Sequence, residues 1–167
     1  MNNVLSKLTQ DAFKLAMQLL QEPADAHDVL QDAATAAISH KNVPNHQSSD
    51  FKPWFFRVVR NKAIDRLRQK KRHNHEDIDD AFEPDDTSSN PELDLVTQQL
   101  QQQVRLSLNS LPIKQREILL LKDFHGFSYK DIAEILSIPK GSVMSQLHRA
   151  RLALKATIQA EQENGYE

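Results

Sequence analysis

The chain has no cysteine. That excludes disulfides, zinc–thiolate centres and cysteine nucleophiles, and it suits a reducing cytoplasm. Glycine is scarce as well, at 3 residues of 167, and aromatic residues make up 6% against 39% hydrophobic. A sheet sandwich draws on turn glycines and β-branched runs, so this composition favours helices. No apolar run approaches the roughly 20 residues needed to cross a bilayer. The opening stretch MNNVLSKLTQDAFKLAMQLL is amphipathic and carries Asp11, which does not fit a signal peptide. These absences lead to an expectation of an all-α, cytoplasmic protein with no membrane insertion.

Patterns for covalent chemistry are missing too. There is no HExxH, no Gly-rich phosphate loop and no nucleophile elbow. His73 and His75 form an H-x-H, but this is a loose pattern in a polar stretch. No metal, cofactor or catalytic residue is assigned, and an enzyme is not expected.

The net charge of -2 would by itself argue against a nucleic-acid partner, yet its distribution argues for one. Residues 51–72 carry nine Lys/Arg and one acid, Asp65, a local charge of +8. Residues 76–94 carry nine Asp/Glu and no Lys/Arg, giving -9, and residues 111–155 carry eight basic and four acidic side chains, giving +4. Two basic patches are separated by an acidic strip, and a phosphate backbone responds to the patches rather than to the sum.

Helical periodicity organises most of the chain. Leu8, Ala12, Leu15 and Leu19 make an i, i+4, i+7, i+11 stripe, which predicts a helix over about 5–21 broken by Pro23. A second helix over about 24–39 turns Ala26, Val29, Leu30, Ala33, Ala37 and Ile38 inward. Residues 41–50, KNVPNHQSSD, are a polar loop. A third helix, PWFFRVVRNKAIDRLRQKKR, is expected to start near Pro53, whose missing N–H suits the first turn. Phe55, Val59, Ala63 and Leu67 share one face of it, and Trp54, Val58, Asn61 and Asp65 share another. Residues 74–90 are acidic and poor in apolar groups, which predicts a flexible linker. Asn90-Pro91-Glu92 resembles a helix start, followed by an apolar stripe of Leu93, Val96, Leu100, Val104 and Leu108.

The most specific segment is LPIKQREILLLKDFHGFSYKDIAEILSIPKGSVMSQLHRARLALK, residues 111–155. Pro112 opens a helix and Gly126 ends it. Ser128 and Asp131 form a capping pattern for a short helix, Ser137-Ile138 is a tight turn, and Pro139 begins the last helix. Val143, Leu147, Ala150 and Leu154 give that helix a buried stripe. Lys140, Ser142, Met144, Ser145, Gln146, His148, Arg149 and Arg151 lie outside it. A short helix, a tight turn and a longer helix with a basic exposed face define a helix-turn-helix, whose second helix fits the major groove. The acidic, Gln/Glu-rich tail after about Lys155 is expected to be a frayed helix end.

These residues resemble a known family. LPIKQREILLL, SYKDIAEIL and IPKGSVMSQLHRAR are similar to region 4 of extracytoplasmic-function (ECF, group IV) sigma factors of bacterial RNA polymerase. ADAHDVLQDA resembles the region 2 helix that docks on the polymerase clamp, and FKPWFFRVVRNKAIDRLRQKKR resembles the helix that reads the minus-ten element. The resemblance implies a transcription initiation factor with region 2 over 1–73, a linker over 74–90 and region 4 over 91–160. It implies core RNA polymerase binding through Asp28, Gln31 and Asp32. It also implies promoter DNA binding, at minus-ten through the third helix and at minus-thirty-five through the last, and an anti-sigma factor as a regulatory partner.

Chemistry supports the DNA roles separately. Arg57, Arg60, Lys62, Arg66 and Arg68 can neutralise phosphates. Asn61 offers a donor and an acceptor for a base edge. Trp54 suits either stacking on an unpaired base or ordinary core packing. Two departures from the family pattern stand out. Ala33-Ala34 occupies a place where members often carry a bulky aromatic. The recognition helix reads Ser142-Val143-Met144-Ser145-Gln146-Leu147 where T-V-K-S-R-L is common, so a thioether and an amide replace two cations. The alternative reading is a free-standing helix-turn-helix regulator that binds DNA without polymerase.

Overall fold

A computed structural model describes residues 2–73 and 94–165. The described residues form seven α-helices and one π-helical turn, with no strand. The first three helices are α1 (Asn2–Leu20), α2 (Pro23–Ser39) and α3 (Phe51–His73). The rest are α4 (Leu95–Ser110), α5 (Ile113–Leu119), the π turn (Leu120–Phe124), α6 (Tyr129–Leu136) and α7 (Lys140–Asn164). The linker expected at 74–90, the helix start at Asn90-Pro91-Glu92, Leu93 and His75 lie outside the described residues.

α1, α2 and α3 pack against one another as a bundle. Ala12, Leu15, Ala16 and Leu19 of α1 meet Ala26, Val29 and Ala33 of α2 and Phe55, Val59 and Ala63 of α3, all buried. Small side chains on α2 let its neighbours approach closely. Ala33, where an aromatic would stand in many relatives, is completely enclosed, while Ala34 faces solvent. α1 closes on Gln21 at φ +58°, a left-handed residue whose N–H reaches the Met17 carbonyl. Pro23 is the first residue of α2.

The second half winds α5, α6 and α7 around Ile118, Leu121, Ile132, Ile135, Val143 and Leu147. The Ser128 hydroxyl accepts the Asp131 N–H at 3.2 Å, the expected cap of α6. Ser137, at φ +56°, turns the chain into α7. The π turn ends with the His125 N–H bonded to the Leu120 carbonyl and with Gly126 at φ +75°, a left-handed position that suits glycine. The two halves are not separate in this structure. α3 packs along α6, and one continuous core runs through both.

Four sequence expectations need correction. α3 starts at Phe51 rather than near Pro53, because no N–H in a first turn has an intrahelical partner, so the proline is tolerated at the third position. Ile38 is 88% exposed; at about 100° per residue it lies well off the Ala26–Val29–Ala33 stripe. The α4 stripe is only partly covered. Ser107, on the same side, is fully buried and donates to Glu161 of α7, but α7 ends at Asn164. Exposure then climbs from 39% at Val104 to 54% at Leu100 and 64% at Val96. Finally, the tail beyond Lys155 is not frayed. It continues α7 to Asn164 and braces α4.

Candidate nucleic-acid interface

α3 is a platform with three dissimilar sides. One side, with Phe55, Val59 and Ala63, is buried in the bundle. A second side carries Phe56, fully enclosed, toward the second half of the chain, where its ring meets Phe127 edge-on at 4.8 Å. The third side stays open. Trp54, Arg57, Asn61 and Arg68 fall within about 60° of one another on the helical wheel. Arg57, Asn61 and Arg68 are exposed, and Trp54 is half-buried with its ring 5.9 Å from that of Phe51. A cationic strip beside an accessible indole and a carboxamide can hold a phosphate backbone and stack on or pair with an unpaired base.

Not every predicted cation is on that strip. Arg60 points to the second half of the chain, where its guanidinium donates from Nε and Nη2 to both carboxylate oxygens of Glu117 at 2.8 and 2.9 Å. Its Nη1 donates to the side-chain carbonyl of Asn61 at 3.1 Å. Arg66 turns to α2, donating to Asp28 at 2.7 Å and lying 3.4 Å from Asp25. Lys70 joins this cluster through Glu22 and Asp25. Desolvation would raise the pKa of Asp25, but hydrogen bonds from Lys70 and Glu22 and the charges of Lys70 and Arg66 outweigh it and hold the pKa below the ordinary aspartate value. Desolvation also opposes the charge on Lys70, and its contacts with Asp25 and Glu22 overcome that and raise its pKa. Lys62 is half-buried at the edge of the strip.

On α2, Asp28, Gln31 and Asp32 are exposed at i, i+3 and i+4 and share one face. Gln31 and Asp32 are open to a partner, whereas Asp28 is already ion-paired to Arg66.

The helix-turn-helix consists of α6, the Ser137 turn and α7. Val143, Leu147 and Ala150 seat α7 on the core. Lys140, Met144, Ser145, His148, Arg149 and Arg151 are exposed, with Ser142 and Gln146 half-buried beside them. All eight predicted recognition residues therefore lie together along one side of the helix. Arg151 is held by Asp123 of the π turn through two hydrogen bonds at 2.6 and 3.1 Å, which raise its pKa.

Sequence reasoning missed the residues that join the halves: Gln18, Lys52, Phe56, Glu117, His125 and Phe127. Glu117 did carry a signal. It sits between Ile113 and Leu121 on the apolar stripe, and a carboxylate there requires a buried cation. Burial lowers the pKa of His125 to about 4. Its Nε2 lies 2.9 Å from the Gln18 side-chain oxygen. Among the described residues no cluster of His, Asp and Glu could hold a metal ion, and no helix is long and apolar enough to cross a membrane.

Two interfaces of this kind, a basic helix in an N-terminal bundle and a helix-turn-helix behind it, define a two-region transcription factor of the sigma-70 type. Residues 5–73 match the family Sigma-70 region 2, and residues 101–154 match Sigma-70, region 4. The ECF RNA polymerase sigma factor SigM of Mycobacterium tuberculosis is 30% identical over 142 residues, covering 84% of this chain and 68% of that protein. SigW of Bacillus subtilis, also an ECF RNA polymerase sigma factor, is 30% identical over 86% of this chain and 80% of its own length. The sigma factor RpoE from Bartonella quintana, solved with the anti-sigma factor NepR, superposes with a TM-score of 0.71. It shares 27% identity and covers 95% of this chain and 96% of its own. The chain belongs to the ECF sigma factor family.

Proposed function

We propose that this chain is a promoter-specificity subunit of bacterial RNA polymerase. It docks on the core enzyme through Gln31 and Asp32, with Asp28 beside them, and engages the minus-ten element with the open face of α3. The minus-thirty-five duplex is read by α7. The covalent chemistry of RNA synthesis belongs to the core enzyme, so the chain is not itself an enzyme. It works in the cytoplasm, where its DNA lies. The functional boundaries that fit this division are 1–73 for region 2 and 91–160 for region 4, with the helical support of region 4 extending to Asn164.

One observation carries the reading. Two exposed basic helix faces, on α3 and α7, lie in two modules in the order region 2 then region 4. A free-standing regulator needs only the second face and has no use for an open strip that combines an indole, a carboxamide and cations. Met144 suits a thymine methyl and Gln146 an adenine edge, so the minus-thirty-five preference should differ from that of relatives with Lys and Arg at those places. Because RpoE was solved with the anti-sigma factor NepR, a partner of that class is part of the proposal.

Co-purification with core polymerase tests the docking half. The full chain should co-elute with core enzyme in gel filtration, and Asp32→Arg should abolish co-elution while leaving the helix content unchanged. Co-elution of the variant at wild-type levels would overturn the assignment of the α2 face.

A further inference from the structure

We propose that the chain restrains itself, with region 4 folded onto region 2 as a closed state in which the Glu117 carboxylate takes the place of a DNA phosphate on Arg60. The inference rests on the DNA role proposed for α3 and names the regulation of that same surface.

Geometry carries it. Arg60 and Glu117 are 57 residues apart, yet they meet fork to fork at 2.8 and 2.9 Å, with side-chain exposures of 20% and 5%. A guanidinium binds a phosphate with the same two parallel N–H groups, so one Arg60 cannot serve both anions. Asn61, the base-edge candidate, is tied to the same guanidinium through its carbonyl. Lys52 is drawn over the rings of Phe56 and Phe127, at 5.9 and 5.2 Å. Phe56 fills the seam, edge-on to Phe127 and to His125, and Gln18 caps His125 from α1. These contacts join region 2 to region 4, and those at Arg60, Asn61 and Lys52 withdraw polar groups from the α3 surface.

The closed state also conflicts with promoter span. Two elements separated by one and a half turns of duplex or more lie roughly 50 Å apart, whereas here α6 lies directly against α3. Opening exchanges the Arg60–Glu117 pair for an Arg60–phosphate pair and returns Glu117 to water. The charge on Arg60 is thus never left buried and alone, the state that makes breaking such pairs costly. DNA or the core enzyme can therefore draw the latch open.

The cysteine-free sequence allows a clean test on the full chain. Dyes on Thr35→Cys and Lys155→Cys, both exposed, report the distance between modules, and anisotropy with a random single-stranded oligonucleotide reports access to α3. Glu117→Gln should lower energy transfer and raise oligonucleotide affinity about fivefold or more, and Gln18→Ala should move both readouts the same way by less. Unchanged transfer and affinity in a Glu117→Gln chain of wild-type helix content would overturn the closed state. Should that variant lose helix content, Gln18→Ala decides by the same two readouts. Transcription by the wild-type chain with core polymerase is read in parallel. If it is absent, the proposed function itself fails, whatever the latch variants do.

Discussion

Glu117 and Arg60 illustrate how one residue's environment decides its role. Read along α3 alone, Arg60 is one more phosphate-binding cation; in the fold it is the counter-ion of a carboxylate buried in region 4. Met144 is the reverse case, an uncharged residue at 63% exposure on a helix face otherwise suited to phosphates. Met144→Lys should tighten binding to duplex DNA and steepen the plot of log affinity against log salt by about one unit, the signature of one added phosphate contact. An unchanged slope would show that this position does not face the backbone. His125 gives a pH dependence. Its pKa is lowered by burial from 6.5 to about 4, so packing favours the neutral ring. Its contribution to stability is complete above pH 6.5 and falls as pH drops through the interval toward 4, since the unfolded chain takes up the proton first. Between pH 7 and pH 5 the wild type should lose roughly 2 kcal/mol more than His125→Asn in urea unfolding. Parallel pH profiles would contradict this.

The helices that set the α3 and α7 surfaces were largely legible in the sequence, and the physical reason is periodicity. Leu15, Val59, Ala63, Val143 and Leu147 are where the 3.6-residue repeat puts them, all buried. The Ser128 cap and the Ser137 turn followed from local chemistry that needs no tertiary contact. α4 was misjudged because its apolar stripe says only which side faces inward and cannot say how far the covering helix reaches. Val96→Ser and Leu100→Ser should therefore change stability by less than about 0.5 kcal/mol in thermal unfolding, as surface substitutions do. A loss of several kcal/mol would mean that the stripe is covered. The ion cluster between α2 and α3 behaves otherwise. Asp25 is 14% exposed and contacts both Arg66 and Lys70, so Asp25→Asn should cost about 1–2 kcal/mol, measured by the same method. No loss would show that the cluster only decorates the surface.

At the scale of the whole molecule, the sequence disclosed two modules and their order but not their docking. Each module's pattern is local, written within about 70 residues of chain. The contact between them depends on pairs such as Arg60 with Glu117 and Phe56 with Phe127, whose partners lie beyond any helical period. The exposed faces of α3 and α7 were found because charge without apolar periodicity marks solvent, whereas the interface was missed because Phe56 reads as one more core residue. The separation also explains the choice of site residues. Six of the eight on α7 are exposed as expected, while on α3 Arg60 and Arg66 are committed to other parts of the chain.

Run-off transcription with bacterial core polymerase on a genomic promoter library, with and without the chain, tests the central claim most directly. The account predicts chain-dependent transcripts whose start sites share two upstream motifs about seventeen base pairs apart, a rough spacing set by two modules docked on one duplex. No chain-dependent transcript from any promoter, with core enzyme shown to be active, would contradict it.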